Sequence, residues 1–502
     1  MPAPAQNPDH PETIAAIDLG SNSFHMIVAR VDNGDLQVID RLREMVRLGA
    51  GLDEQNQLIP EVRARAIDCL ERFGQRIKEL PAGSVRAVGT NALRQTRESG
   101  HFLEEAQAAL GHPIEIISGH EEARLVYLGV AHGLAADTEQ RLVVDIGGGS
   151  TELIIGEGFD TKRRESLYMG CVSMSRAHFP DGTISAKAME RAELAAALEL
   201  RPIRREYRRI GWQTAIGSSG TIRSIKEVVR NAGWSEAGIT LSSLQQLRQA
   251  LINFGHTDKL QLEGLKQERH AVFPGGVAIL LAVFKTLHIE QMQVSAEALR
   301  EGLLYEMLGR IQHEDVRERT VSSLCSRYGV DLTNAQLVEK TAQTLFAQVA
   351  EQWNLSSTYR DTLSWAARLH EIGLTVSHSQ FHKHGAYLIN NADLSGFSRQ
   401  EQALLATLIQ GHRRKFPLAI FETLPSNIRE PARRLCLLLR LAVLLHRGRS
   451  ASLEVEPQLT AGNKHLKLRF PAGWLDTHPL TQMALEQETA RLDGVGIKLS
   501  VR

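Results

Sequence analysis

Hydrophobic and polar positions change in short runs along the first part of the chain, as expected for strands and helices joined by tight turns. Residues 13–31 read TIAAIDLGSNSFHMIVARV, where two apolar runs flank a turn rich in Gly, Ser and Asn, so the pattern predicts a β-hairpin. A further apolar run at residues 36–39 predicts a third strand. Helical spacing then alternates with short strand patterns, at residues 61–80, 85–88, 102–110, 113–117 and 121–134. This part of the chain is therefore predicted to form an α/β domain.

The hairpin pattern returns later in the chain. Residues 141–158 read RLVVDIGGGSTELIIGEG, and without gaps IDLG at 17–20 aligns with VDIG at 144–147, while Ser23 aligns with Ser150. The two copies lie much further apart than the repeats of a solenoid. They indicate two related α/β domains that face each other across a cleft and direct both Gly-rich turns toward one ligand.

The pattern changes again near residue 312. Helical spacing covers residues 316–328, 335–353 and 359–369, and strand alternation appears within residues 453–470. The sequence therefore predicts a disordered tail at residues 1–12 and two α/β domains at residues 13–135 and 136–312. A helical domain at residues 313–450 and a small α+β subdomain at residues 451–502 follow.

Composition narrows the class of protein without naming a partner. Lys plus Arg equals Asp plus Glu, 58 each among 502 residues, so a polyanion would have to be held by local clusters of charge. The four cysteines form no CxxC pair, which favours a reducing compartment. The longest apolar run, residues 277–284, is far shorter than the roughly 20 residues of a membrane span. These features predict a cytoplasmic protein, with peripheral association with a membrane left open.

The Gly-rich turns are candidate phosphate sites. Consecutive backbone N–H groups in such a turn can converge on one anion, and glycine permits the close approach. Neither hairpin turn ends in the Gly-Lys-Ser/Thr of a Walker A loop, and a single turn of this kind is equally compatible with an ordinary hairpin. Two matched copies favour phosphate. The candidate residues are Gly20, Ser21, Asn22, Ser23, Gly147, Gly148, Gly149, Ser150 and Thr151, with a third turn at Gly217, Ser218, Ser219, Gly220 and Thr221.

An Asp precedes the turn in each copy of the repeat. Asp18 and Asp145 occupy the same place at the end of an apolar strand, where a carboxylate needs a partner. A magnesium ion (Mg²⁺), bound directly or through water, would be such a partner. Both residues are therefore candidate metal ligands.

Several long motifs together resemble the exopolyphosphatase/guanosine pentaphosphate phosphatase family. They are IDLGSNSFHMIVARV, VGTNALRQ, IEIISGHEEARLVYLGV, VVDIGGGSTELIIG, MGCVS, GSSGT and ALREGLLYEM. The resemblance implies an α/β fold in which two actin-like (ribonuclease H-like) domains flank a cleft. It further implies an all-α HD-like domain, while the strand alternation within residues 453–470 predicts the small C-terminal β-containing subdomain.

The resemblance also implies roles for particular residues. Glu121 is expected to be the catalytic base, Glu152 a second essential acid that also helps to hold the metal, and Arg94 a phosphate-binding residue; Glu122 would then be a structural acid. From the residues alone, the acidic pair is equally explained by its place in the first turn of a helix, where negative charge is favoured. The family resemblance implies Mg²⁺ as cofactor, K⁺ as a candidate activator, and a homodimer.

The helical domain carries histidines and local positive charge. The His370-Glu371 pair resembles the His-Asp pair of HD hydrolases with Glu in place of Asp, which favours a degenerate HD scaffold over a working metal centre. A basic segment with nearby histidines could line a path for a long polyanion, although solvated helix faces explain the same charges. The channel candidates are His378, His382, Lys383, His384, Arg413, Arg414 and Lys415. Aromatic residues are only 5% of the chain, so nucleic acid is not expected as a partner.

These observations predict a hydrolase that releases terminal phosphates processively from inorganic polyphosphate by Glu-activated water and Mg²⁺. The same site would suit pppGpp (guanosine pentaphosphate), with ppGpp as product, and one enzyme can act on both. Two further alternatives remain from the sequence: an actin-like kinase or ATPase, and a sensor of polyphosphate or alarmone without turnover.

Overall fold

The computed structural model describes residues 13–32, 35–53, 55–81, 83–96, 99–134, 139–236, 238–311, 315–449 and 455–502. The predicted tail and the predicted domain boundaries near 135, 312 and 450 lie outside these residues. The chain divides into two compact units, Met1–Asp315 and Val316–Arg502. The first unit takes in both predicted α/β domains.

The first unit alternates strands and helices. Its strands are β1 (Thr13–Leu19), β2 (Phe24–Asp32), β3 (Asp35–Glu44), β4 (Val85–Gly89), β5 (Ile114–Ile116), β6 (Gln140–Ile146), β7 (Thr151–Glu157), β8 (Asp160–Leu167), β9 (Thr214–Ser218), β10 (Ile239–Thr240) and β11 (Gln291–Val294). Its helices are α1 (Pro60–Ile77), α2 (Asn91–Gln95), α3 (Ser99–Leu110), α4 (Gly119–His132), α5 (Cys171–His178), α6 (Ala186–Leu200), α7 (Arg204–Ile210), α8 (Ser219–Asn231), α9 (Leu241–Phe254), α10 (Phe273–Leu287) and α11 (Leu299–Ile311).

The two sheets of this unit repeat one topology, which confirms the internal repeat. The first sheet has the order β3-β2-β1-β4-β5, and the second has β10-β11-β9-β6-β7-β8. In each sheet an antiparallel meander of three strands is extended by two parallel strands, β4 and β5 in one, β9 and β11 in the other. The hairpin registers also correspond, since Asp18 lies opposite His25 and Asp145 lies opposite Glu152.

Helices cover the sheets and bury their apolar faces. The helix α10 is the most apolar of them, and the stretch Gln267–Leu287 is long and apolar enough to cross a membrane, with a mean hydropathy of 1.6. However, 72% of its most apolar 18-residue window is buried within the protein, as in the core helix of a folded domain. The side chains of α10 pack on the second sheet together with β6 and β7 residues such as Val144 and Leu153.

Helices α4 and α11 cross at an unusually close distance because each has a glycine at the contact. A Cβ atom on Gly302 would lie 2.7 Å from the carbonyl carbon of Leu125 and closer still to its oxygen. A Cβ on Gly129 would lie 2.8 Å from the backbone nitrogen of Gly302. The crossing therefore fixes the position of the first turns of both helices, α4 and α11, which carry acidic and basic residues of the site.

The second unit is mainly helical with one small sheet. Its helices are α12 (Val316–Arg327), α13 (Leu332–Val349), α14 (Ser357–Leu369), α15 (Phe381–Asn391), α16 (Arg399–Gly411), α17 (Leu418–Phe421), α18 (Ser426–Leu445), α19 (Trp474–Thr477) and α20 (Pro479–Asp493). The strands β12 (Gln458–Ala461), β13 (His465–Arg469) and β14 (Lys498–Val501) form a sheet in the order β12-β13-β14. The predicted helices and the late strands are confirmed within the described residues.

Candidate active site

A cleft of about 330 Å³ in the first unit collects residues from both copies of the repeat. The β1–β2 turn, the β6–β7 turn and the start of α8 all border it. The predicted phosphate residues that line the cleft are Gly20, Ser21, Asn22, Ser23, Gly147, Gly148, Ser150, Ser219, Gly220 and Thr221. The structure therefore brings the three predicted turns together at one place.

The two hairpin turns lie in direct contact with each other. A Cβ on Gly148 would be 2.9 Å from the Cβ of Ser21 and 3.5 Å from the backbone nitrogen of Asn22. The first turn is held by backbone bonds from Arg47 to the carbonyl of Asn22 and from Gly49 to the carbonyl of Ser21, both 2.8 Å long. A Cβ at position 148 would thus collide with the side chain of Ser21, so the close approach of the two turns requires glycine there.

Other predicted phosphate residues lie outside the cleft, and these assignments are corrected. Thr151 is fully buried and donates its hydroxyl to the carbonyl of Met169 at 2.6 Å. Gly149 packs against Asn91, whose Cγ would lie 2.9 Å from a Cβ there. Gly217 and Ser218 end strand β9, where the hydroxyl of Ser218 donates to the carbonyl of Glu297 at 2.9 Å. These four residues support the turns without lining the cleft.

The acidic pair at the start of α4 is arranged in the opposite way from the sequence prediction. Glu121 is only 1% exposed, and both of its carboxylate oxygens accept hydrogen bonds from Arg124, at 2.9 and 2.7 Å. Arg124 also pairs with Glu306 on α11. Glu122, by contrast, lines the cleft. Glu121, the expected catalytic base, is therefore held in a buried ion-pair network, and Glu122 lines the cleft in its place.

The side chain of Arg94 holds Glu122 and does not line the cleft. Its Nη1 donates to Oε2 of Glu122 and to the carbonyl of Ile117, both at 2.9 Å. The predicted direct contact of Arg94 with phosphate is corrected to a positioning contact with Glu122. Because Ile117 directly follows strand β5, the guanidinium holds the carboxylate of Glu122 next to the end of the sheet.

Three further carboxylates lie around Glu122. Burial, followed by the charge of Glu122, raises the pKa of Asp18 to about 7 and that of Asp145 to about 6. The same two causes raise the pKa of Glu152 well above its usual range, although Ser166 donates to its Oε1 at 2.8 Å. Asp18 and Asp145 line the cleft, whereas Glu152 lies behind it, opposite Asp145 in the hairpin register. The site thus concentrates negative charge in one corner.

Positive charge lines the rest of the cleft, and sequence reasoning missed it. The basic residues are Arg41, Arg43, Arg223, Arg269 and Arg300. Burial and the charges of neighbouring arginines lower the pKa of Arg223, and burial with the charge of Arg43 lowers that of Arg269. A cluster of like charges that is partly desolvated is stabilised by a polyanion.

One histidine fixes the orientation of Arg300. The Nη1 of Arg300 lies 2.7 Å from Nδ1 of His25, and Oγ of Ser23 lies 2.7 Å from its Nε2. Arginine can only donate, so Nδ1 of His25 accepts and Nε2 carries the proton that bonds to Ser23. Burial and the nearby arginines lower the pKa of His25 to about 2, which keeps this tautomer neutral. His25 is therefore a link between the first phosphate turn and Arg300.

The carboxylates are suited to a hydrated cation. Oδ1 of Asp18 is buried and has no hydrogen-bond partner within the described residues. Across that same part of the chain, no three His, Cys, Asp or Glu side chains come together as a metal-binding group. The predicted set of Asp18, Asp145 and Glu152 therefore does not form a protein cage. Mg²⁺ is commonly held by one or two carboxylates plus water and substrate phosphates, which fits Asp18 and Asp145.

In the second unit, five of the predicted channel residues border one cavity of about 620 Å³. They are His378, His382, Lys383, Arg413 and Arg414, whereas His384 and Lys415 are not among its lining residues. Part of the predicted basic face is neutralised internally, because Arg429 and Arg433 both pair with Glu422. The charge open to a ligand is therefore concentrated near Arg413 and Arg414.

Fold and site together define a protein with two related actin-like halves, a Gly-rich double turn and an acidic corner. The family model described as Ppx/GppA phosphatase family matches residues 27–311, and that of Ppx/GppA phosphatase, domain III, matches residues 316–489. The chain belongs to the Ppx/GppA phosphatase family.

Solved structures support this assignment. The Aquifex aeolicus PPX-GPPA enzyme is 26% identical, with a TM-score of 0.50. The match covers 58% of this chain and 98% of the Aquifex chain. An exopolyphosphatase-like protein is 25% identical with a TM-score of 0.54, covering 60% and 98%. An exopolyphosphatase from Cytophaga hutchinsonii is 23% identical, with a TM-score of 0.54. The match covers 59% of this chain and 98% of the other, and at this identity it shows the shared fold alone.

Proposed function

We propose that this phosphatase is an exopolyphosphatase that hydrolyses the terminal phosphoanhydride bond of inorganic polyphosphate, with Glu122 as the group that activates water. One observation carries the proposal. Glu122, held by Arg94 at 2.9 Å, faces a cleft that also presents two abutting Gly-rich turns and five arginines. The turns and arginines can bind a polyanion, and Glu122 can activate a water nucleophile, at the same place. The name of the exopolyphosphatase-like neighbour is consistent with such a substrate.

The roles of the residues follow from their charges. The hairpin turns and the start of α8 are suited to hold the terminal phosphoryl group, and Arg43, Arg223, Arg269 and Arg300 to offset the charge of the following phosphates. Glu122 accepts a proton from a water molecule placed opposite the leaving oxygen. Asp18 and Asp145 would hold Mg²⁺, which when bound neutralises charge on the phosphoryl oxygens.

The buried ion pair behind the site positions the general base. Glu121, Arg124 and Glu306 join α4 to α11, so the first turn of α4 is anchored from its rear face. With this support Glu122 does not have to move toward the substrate, which is what preorganised catalysis requires. A cation bound by Asp18 and Asp145 would offset the burial and the charge of Glu122 that raise the pKa values of both carboxyls.

A substrate panel tests the proposal. Purified full-length protein is assayed for orthophosphate release from long polyphosphate, from guanosine pentaphosphate and from ATP with a sugar acceptor, each with Mg²⁺ and with EDTA. We expect release from polyphosphate that requires Mg²⁺ and is lost in Glu122→Gln. If only guanosine pentaphosphate is hydrolysed, the proposed substrate is wrong and the nucleotide takes its place. ATP-dependent phosphorylation of the sugar acceptor would contradict the proposed reaction itself. Exchanging K⁺ for Na⁺ in the buffer tests the monovalent activator.

A further inference from the structure

The sequence motif VGTNALRQ supplies two polar residues of the cleft to which the proposed function assigns no role. Thr90 and Asn91 both line the cleft, at the point where β4 ends and α2 begins. Asn91 has the larger polar group of the two, a carboxamide that can both donate and accept hydrogen bonds. Its side chain is therefore a candidate contact for the substrate or for a water molecule.

The carboxamide of Asn91 is enclosed by the protein but not bonded to it. Asn91 is only 4% exposed, and within the described residues no group forms a hydrogen bond with its carboxamide. Nearly all buried polar groups in folded proteins have a hydrogen-bond partner. An unbonded carboxamide at the wall of a cleft therefore points to a partner that enters the cleft, either the substrate or a water molecule.

The carboxamide lies against the second Gly-rich turn, beside the residue that holds the proposed base. A Cβ on Gly149 would be 2.9 Å from Cγ of Asn91 and closer still to Oδ1. Arg94, three residues further along α2, donates to Oε2 of Glu122 at 2.9 Å. Residues three apart lie on the same face of a helix. The short helix α2 therefore directs Asn91 to the turn suited to the phosphoryl group and Arg94 to the carboxylate suited to activate water.

We propose that Asn91 is a further catalytic residue, whose carboxamide orients the water that attacks the terminal phosphorus. A water molecule has two O–H groups: Glu122 accepts one and Oδ1 of Asn91 accepts the other, which turns a lone pair toward phosphorus. Glu122 then takes the first proton, the water oxygen bonds to phosphorus, and the bond from phosphorus to the bridging oxygen breaks. The electron pair of that bond leaves with the shortened chain. This inference rests on the proposed function, since it assigns a residue to the same reaction.

Steady-state kinetics of full-length Asn91→Ala test this role, on long polyphosphate or on guanosine pentaphosphate if the substrate panel selects it. We expect kcat to fall by about 10- to 100-fold, because a shift of about 1 Å in the position of a reacting group can cost that much. KM should stay within about twofold, because the turns and arginines suited to bind the substrate are unchanged. Gln95→Ala is the matched control: it removes a carboxamide from the exposed side of the same short helix and should leave kcat unchanged.

Competition between water and methanol separates orientation of the nucleophile from a purely structural effect. Methanol has a single O–H group, which Glu122 accepts, so it has none left to donate to Asn91. In Asn91→Ala water loses its additional hydrogen bond, and the ratio of methyl phosphate to orthophosphate should rise by up to about tenfold, the contribution of one such bond. Phosphorus NMR measures both products. Because both form in one reaction, their ratio does not depend on how much of the variant is folded.

The outcomes that overturn the inference are distinct from failure of the proposed function. An unchanged kcat, a rise in KM alone, or a product ratio equal to that of wild type would each overturn the role of Asn91. An equal loss of kcat in Gln95→Ala would assign the effect to distortion of α2 and would overturn it as well. If wild type releases no orthophosphate from any substrate of the panel, the proposed function fails and this inference fails with it.

Discussion

Replacing each acid at the start of α4 separates structural from catalytic roles. Glu121→Gln removes the charge of a side chain that is 1% exposed and bonds Arg124 at 2.9 and 2.7 Å. Losing one partner of a buried ion pair typically costs 3–5 kcal/mol, but Arg124 keeps Glu306, so we expect the free energy of unfolding to fall by about 2 kcal/mol. The folded fraction should retain most of its turnover, because Glu122 and Arg94 are unchanged.

Glu122→Gln should have the opposite profile. A general base contributes about 10²–10⁴-fold to the rate, so kcat should fall by that order. Stability should change by about 1 kcal/mol or less, because the amide oxygen of Gln still accepts from Arg94 in this largely buried pair. Arg94 keeps its bond to the carbonyl of Ile117, and removing the negative charge relieves the repulsion that raises the pKa of Asp18 and Asp145.

The two measurements are kcat for phosphate release from saturating polyphosphate and the midpoint of thermal unfolding. Both are made on each variant and on wild type at one pH and one Mg²⁺ concentration. Circular dichroism at the assay temperature shows how much protein is folded. The reasoning is refuted if Glu121→Gln unfolds like wild type yet loses turnover, or if Glu122→Gln remains active.

Further predictions concern packing and pH. Gly302→Ala places a Cβ 2.7 Å from the carbonyl carbon of Leu125, so it should destabilise the protein by about 1–3 kcal/mol. It should also lower kcat by up to about 100-fold, because a shift of about 1 Å at a catalytic site can cost that much. The control is Gly462→Ala, where a Cβ would lie 3.8 Å from the nearest atom. Because the folded pKa of Asp18 is raised to about 7 from 3.8, the native state binds the extra proton, and stability should decrease as pH rises between these values. Asp18→Asn should therefore raise the unfolding midpoint at pH 8 in EDTA and have less effect at pH 5, and an equal effect at both would contradict the pKa shift.

Local pattern was sufficient for the frame of the first unit. Alternating apolar runs around IDLGSNS and VDIGGGS predicted both hairpins, and their ungapped alignment predicted that Asp18 and Asp145 would be equivalent. The registers opposite His25 and Glu152 confirm that equivalence. Such features could be predicted because they depend on neighbours within about twenty residues of one another.

The arginines of the cleft could not be predicted in the same way. Of the five cleft arginines, only Arg41 and Arg43 are close in sequence, near the end of β3. The others lie far along the chain, as Arg223 on α8 and Arg300 on α11 show. The hydrophobic and polar pattern of the sequence also does not distinguish any of these arginines from an ordinary surface residue. Only the closure of two sheets around one cleft brings them together, and that is long-range information. A clue was present in ALREGLLYEM, which includes Arg300, although the residue itself was not assigned a role.

Assigning roles to Glu121 and Glu122 requires knowing which face of helix α4 points toward the cleft. Successive residues of a helix point about 100° apart, whereas residues four apart share a face. Glu121, Leu125 and Gly129 therefore form one stripe, and Gly129 is where α4 meets Gly302 of α11. Glu122 and Val126 form the next stripe, and both line the cleft. A glycine inside an otherwise good helix signals close packing at its own face, so Gly129 could have placed Glu121 against α11 and left Glu122 for the cleft. Reading the phase of α4 from that glycine would have been enough to choose between the two acids.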